Sequence, residues 1–230
     1  MHLIALDHEE HETAPFSKQT FAVLERQDGI VGTIRDAVQR LAPGNAYVAV
    51  VSDHGFVSIQ SRLNLFVAFR NAGLITASGR RVTAWKAMPW TAGGSAAIVL
   101  KDPADAVTAA EVRALLDKLA ADPASGIDRV LGADELHARG GFPNASFLVG
   151  CRPGFMMGTG YEGAVVARTS VAGTHGHLPD LPELRASFFL VGPGVPAGRS
   201  LGLVDMRDIA PTLARRLGLA LPSADGKPLL

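Results

Sequence analysis

The chain has 230 residues, 47% hydrophobic and 19% charged, an ordinary globular profile long enough to bury a substantial core. Lys+Arg and Asp+Glu both number 22, so no net charge marks it as a nucleic-acid or membrane-surface binder. The single cysteine, Cys151, excludes an internal disulfide and reads as a small core or boundary residue. No apolar run reaches the ~18 residues of a membrane span, and no signal peptide is visible. The location is therefore open, cytoplasmic by default.

In chain order, "HLIAL" (2–6) reads as a short buried strand that stops at Asp7. "FAVLERQDGIVGTIRDAVQRL" (21–41) has the helical recurrence of Phe21, Leu24, Val31, Ile34, Val38 and Leu41, and "APGN" ends it. "AYVAVVS" (46–52) reads as a second buried strand stopping at Asp53, so a strand–helix–strand unit predicts a parallel sheet with helices on its faces. "LNLFVAF" (64–70), "RVTAWKAM" (81–88) and "SAAIVL" (95–100) read as strands, and "TAAEVRALLDKLAA" (108–121) as a helix capped by Thr108 with Glu111 three later. "ASFLVG" (145–150), "EGAVVAR" (162–168) and "ASFFLVG" (186–192) read as strands, "RPGFMMGTG" (152–160) as a glycine-rich loop, and "DIAPTLARRLG" (208–218) as a closing helix with Pro211 in its first turn. The expected organisation is one domain with an inserted β-rich subdomain at about 78–165.

Three clusters could carry chemistry: "LDHEEH" (6–11), "SDHGF" (52–56) and "GTHGH" (173–177). The first two follow predicted strands, where open α/β sheets bind ligands. Asp and His without Cys suit zinc or a similar first-row ion. Asp7 and His11 are four apart, on one side of a helical turn. Asp53 and His54 are adjacent and need a sharp loop, which Gly55 permits; Gly173 and Gly176 do the same around His175. "HEEHE" is not a zincin motif, because His8 and His11 are three apart rather than four. His8 and His177 each read equally as a residue behind the ligands, a substrate contact or a solvent-exposed side chain.

These clusters, in this order, resemble the alkaline phosphatase superfamily, and most closely its nucleotide pyrophosphatase/phosphodiesterase branch, which includes phosphonoacetate-hydrolase-like enzymes. That branch shows Asp with His one helical turn on, then Asp-His-Gly, then a His in a glycine loop. Here Asp53 follows Asp7 by 46 residues and His175 follows Asp53 by 122. The tail, with "DIAPTL" (208–213) and "DGKPL" (225–229), is also similar, so the resemblance covers nearly the whole chain.

The resemblance implies a three-layer α/β/α sandwich with a mostly parallel sheet, incomplete at its N-terminal side. It implies two zinc ions, with Asp7, His11 and His175 on one and Asp53 and His54 on the other. The substrate implied is a small phosphorylated molecule such as a nucleotide or phosphodiester. The family's nucleophile, a Thr or Ser, and a further Asp ligand lie well before the first of these clusters, whereas six residues precede Asp7 here. The expectation is a C-terminal portion with no nucleophile of its own, little activity alone, and an exposed edge open to association. Ser52 and Thr174 are expected to play plain loop roles. The alternatives are a non-catalytic zinc- or partner-binding module, a phosphonoacetate hydrolase or sulfatase-like enzyme, or hydrolysis by a single zinc-bound hydroxide.

Overall fold

The computed structural model describes residues 1–79 and 81–230. Its elements run α1 (Ala5–Thr13), α2 (Lys18–Leu41), β1 (Val48–Val51), β2 (Val57–Leu63), α3 (Leu65–Asn71), β3 (Ile75–Ser78), β4 (Arg81–Trp85), β5 (Ala87–Ala92) and β6 (Ser95–Leu100). Then come α4 (Ala106–Ala120), β7 (Ile127–Gly132), α5 (Ala133–Ala138), β8 (Phe147–Cys151), β9 (Gly154–Met157), β10 (Val166–Arg168), β11 (Gly173–Thr174), β12 (Phe188–Val191) and α6 (Ile209–Arg216). The class is mixed α/β. Among the described residues no helix is long and apolar enough to cross a membrane.

The chain divides into two units, residues 1–32 with 52–187, and residues 33–51 with 188–230. In the first, β5, β6, β8 and β7 form an antiparallel sheet in that order, with Ala96 opposite Val149 and Ile98 opposite Phe147. One face of the sheet joins α3 and α4 in the main core, where Leu63, Phe69, Ile98, Val112, Leu116 and Val149 are completely buried. A second layout within this unit centres on β2, which pairs with β9, β10 and β11. In the second unit β1 pairs with β12, Val48 opposite Val191. The tail is pinned to α6: Asp208 accepts the Lys227 N–H at 2.8 Å, and the buried Thr212 hydroxyl accepts that of Leu229 at 2.9 Å.

Several sequence expectations are corrected. The mostly parallel sheet is not found: among the described residues only β2–β9 is parallel. "HLIAL" is not a strand. Residues 1–4 carry no regular structure, Ile4 is exposed, and the helix α1 starts at Ala5. Asp7 in its first turn and His11 in its last suit the helix dipole. "AYVAVVS" does form β1, but not as a buried parallel strand. It pairs antiparallel with β12 and leaves Val50, Val51, Phe189 and Val191 exposed.

"LNLFVAF" is the helix α3, not a strand. The Asn64 carbonyl accepts the amides of Val67 and Ala68 and starts the turn. Because Leu65–Phe69 are all buried, the run has no amphipathic period to betray it. "RVTAWKAM" is two strands broken at Lys86, whose amide donates to Leu74 while β5 leaves for another sheet. The α4 cap is Asp105 rather than Thr108: the Asp105 carboxylate accepts the Thr108 amide at 2.9 Å and its hydroxyl at 2.6 Å. The "RPGFMMGTG" loop contains β9. Cys151 is buried, and desolvation pushes its thiol up to about 12.

Candidate metal centre

Helix α1 supplies the first two side chains. Asp7 and His11 lie one turn apart on one face, with His11 Nε2 3.9 Å from an Asp7 carboxylate oxygen. The helix is hooked to β11 from both sides: the Ala172 amide donates to the His11 carbonyl, and His11 Nδ1 lies 3.0 Å from the Gly173 carbonyl. A carbonyl only accepts, so Nδ1 donates to Gly173, and Nε2 is the ring nitrogen on the Asp7 side. Gly173 is required by close approach, since a Cβ there would lie 2.4 Å from the Glu10 carbonyl oxygen.

The loop between β1 and β2 supplies Asp53 and His54. Gly55 and Phe56 donate their amides to the Leu184 and Glu183 carbonyls, at 3.0 and 3.1 Å. A Cβ on Gly55 would stand 2.1 Å from the Glu183 oxygen, so only glycine lets the two segments meet. His54 Nδ1 is 3.0 Å from the Gly55 carbonyl, which again makes Nδ1 the donor and leaves Nε2 free. The Asp53 side chain is 86% exposed, with a carboxylate oxygen 3.6 Å from His54 Nε2.

His175 follows β11 directly. Its Nε2 is 3.7 Å from Asp7, and its ring stacks on His54 with centroids 3.7 Å apart. Burial, followed by the neighbouring His54, holds the His175 ring below the usual histidine range, hence neutral and able to give a lone pair to a metal. One potential ligand atom each from Asp7, His54 and His175 lies within 4.8 Å of the other two.

The structure thus brings Asp7, His54 and His175 together, with His11 and Asp53 flanking them. Asp7 and His175, implied by resemblance for one ion, are joined in this triple by His54, implied for the other; His11 stands 3.9 Å from Asp7 and Asp53 stands 3.6 Å from His54. His8 is exposed on α1. His177 is buried: its Nε2 is 2.8 Å from the Phe155 carbonyl, its Nδ1 has no hydrogen-bond partner, and a Cβ on Gly94 would lie 2.1 Å from that atom. Ser52 Oγ accepts the Ser187 amide at 2.8 Å, and Thr174 is buried in β11 opposite Val57.

Sequence reasoning missed two neighbours. Phe56 sits against all three imidazoles, with its ring 4.8 Å from His11, 5.4 Å from His175 and 6.1 Å from His54. Its place directly after Asp-His-Gly was the available signal. Glu10, half-buried, has its carboxyl raised above the usual range by desolvation and then by Asp7. Its position three after Asp7 was the signal there.

Residues 1–177 match the family model described as type I phosphodiesterase / nucleotide pyrophosphatase. The chain belongs to that family. A comparison with curated proteins gives no match. Among solved structures the chain is similar to murine ectonucleotide pyrophosphatase / phosphodiesterase 5 (17% identity, TM-score 0.71) and to its human counterpart (17%, 0.72). In each case the match covers 96% of this chain and 54% of the other, so the chain spans about half the length of these relatives. A further murine structure is of an inactive variant in complex with AMP, with the same coverage. At this identity the likeness shows the fold.

Proposed function

We propose that the chain carries the metal-holding part of a phosphodiesterase or nucleotide pyrophosphatase site. The observation that carries this reading is the convergence of Asp7, His54 and His175, one carboxylate and two imidazoles from three separated segments. That donor set fits zinc or a similar first-row divalent ion. Such ions, when bound, stabilise charge on phosphoryl oxygens and lower the pKa of water. Two ions fit the wider cluster, with His11 and Asp53 completing the ligand groups on either side.

The remaining residues orient. The Gly173 and Gly55 carbonyls fix the rings of His11 and His54, and second contacts of this kind sustain ligand basicity. Phe56 backs the imidazoles and keeps water from one side of them. His177 ties the loop after His175 to β9 through Phe155. The substrate is a small phosphorylated molecule such as a nucleotide. Ser52 accepts the Ser187 amide, and Thr174 is buried in β11 beside the depression; we read neither as the nucleophile, and on this reading the chain by itself binds metal and phosphate but turns over slowly. We also read β5 to β8 with α4 as an inserted subdomain at about 78–165. The exposed Val50, Val51, Phe189 and Val191 of β1 and β12 support association through that sheet.

The test is hydrolysis of bis(p-nitrophenyl) phosphate by the zinc-loaded chain. Slow turnover, removed by a chelator, restored by zinc and abolished in His175→Ala, is expected. A zinc-loaded chain that neither hydrolyses the ester nor binds inorganic phosphate would instead be a non-catalytic metal module.

A further inference from the structure

Beside the metal-holding cluster the surface opens into a depression of about 460 Å³ that His11 and His175 border. Met156 and Val171 give it apolar lining; Ser170, Thr174 and Glu12 give it polar lining. Among the described residues that line it there is no lysine or arginine, and the only carboxylate is that of Glu12. Glu12 lies on α1 next to His11, on the exposed side of the helix.

A phosphoryl group seated against the imidazoles would direct one of its substituents into this depression. A depression of this size is within the range of ordinary ligand pockets and does not limit the substituent to a small one, and the Met156 and Val171 surface suits carbon rather than phosphate oxygen. An anionic substituent would face the Glu12 carboxylate with no lysine or arginine of the lining to offset it. A neutral substituent would avoid that repulsion, and a cationic one would gain from it.

We propose that this depression receives the ester substituent of the substrate, and that Glu12 selects by charge a neutral or cationic alcohol over an anionic group such as a further phosphate. The proposal rests on the phosphoesterase reading above. It narrows that reading to phosphoesters of such alcohols, and it assigns Glu12 a specificity role rather than a metal or catalytic one.

The experiment titrates three ligands of similar size into the zinc-loaded chain by calorimetry: ethanolamine phosphate, n-propyl phosphate and phosphoglycolate, whose free ends are cationic, neutral and anionic. The expected order is tightest to weakest as written. The Glu12 contribution to each step is about two- to fivefold, the range of a single exposed charge contact. Glu12→Gln should compress the series, and Glu12→Lys should reverse it. Zinc content is measured on every sample. Wild-type protein that holds no zinc, or holds zinc but binds none of the ligands, overturns the phosphoesterase reading and this proposal with it. If all three ligands bind but phosphoglycolate equals or exceeds ethanolamine phosphate, only the proposal fails. It fails equally if the order survives unchanged in Glu12→Lys. Should a variant not fold, the wild-type order decides alone.

Discussion

The main core and the metal centre belong to the same unit and are held by opposite means. The core is side chain against side chain: Phe69, Leu116, Ile98 and Val149 are wholly buried and interlock. The centre is backbone against backbone. Its candidate ligands are partly exposed, and their positions come from carbonyls and amides meeting at Gly55 and Gly173, where no Cβ fits. Burial therefore sets stability, while a few close main-chain approaches set the geometry of the proposed metal site. A substitution should damage one property far more than the other, according to which construction it touches.

The largest effect should come from the core. Phe69→Ala removes a completely buried ring and should cost about 3–5 kcal/mol. Urea unfolding checks it, and whatever remains folded should retain zinc. Gly173→Ala comes next and should separate the two constructions most sharply. A Cβ 2.4 Å from the Glu10 carbonyl forces α1 away from β11. Zinc affinity should fall about 10–100-fold, with a stability loss of about 1–3 kcal/mol. Unchanged affinity would break the contrast.

Cys151 tests the dryness of the core. Burial raises its thiol from the ordinary 9.0 to about 12, so the unfolded chain ionises first as pH climbs. Stability from this group is fully present below 9.0 and is lost as pH rises toward 12. At pH 8 a thiol reagent should label Cys151 only at the rate of unfolding, and rapid labelling of the native chain would contradict that. The smallest effect belongs to Arg113→Ala, which breaks an exposed i,i+4 pair with Asp117 at 2.9 Å. Its cost should be the smallest of the series, a shift in thermal melting close to the scatter between repeat melts, because an exposed pair is screened by water.

Elements with a clear local signature were legible in the sequence. Strand β6 matches "SAAIVL" end to end, and α2 and α4 match within three residues. Runs buried on every side were not. α3 has no polar face, so its sequence cannot be told from a strand. Strand β2 was missed although Val57, Ile59 and Leu63 alternate with exposed Ser58, Gln60 and Arg62; Ser61, polar at an inward position, breaks the period. β1 misled because its valines suggested two covered faces.

For the site, the spacing of Asp7 and His11 spoke for itself because both lie on one helix. The grouping of His54 with Asp7 and His175 did not. It depends on Gly55 meeting Glu183 and Leu184 far along the chain, and on Asp53 turning outward, neither of which local sequence encodes. His177 looked like a site residue by its place beside His175, yet it is buried against Gly94 and Phe155.

The central claim is that Asp7, His54 and His175 hold a metal ion. Equilibrium dialysis of the folded chain against zinc, beside Asp7→Asn, His54→Ala and His175→Ala, tests it most directly, with circular dichroism confirming that each variant is folded. The account predicts that wild-type protein retains zinc and that each substitution weakens retention at least about tenfold, since each removes a ligand rather than a supporting contact. A folded wild-type chain that retains no zinc, or a triple variant that retains as much as wild type, would contradict it.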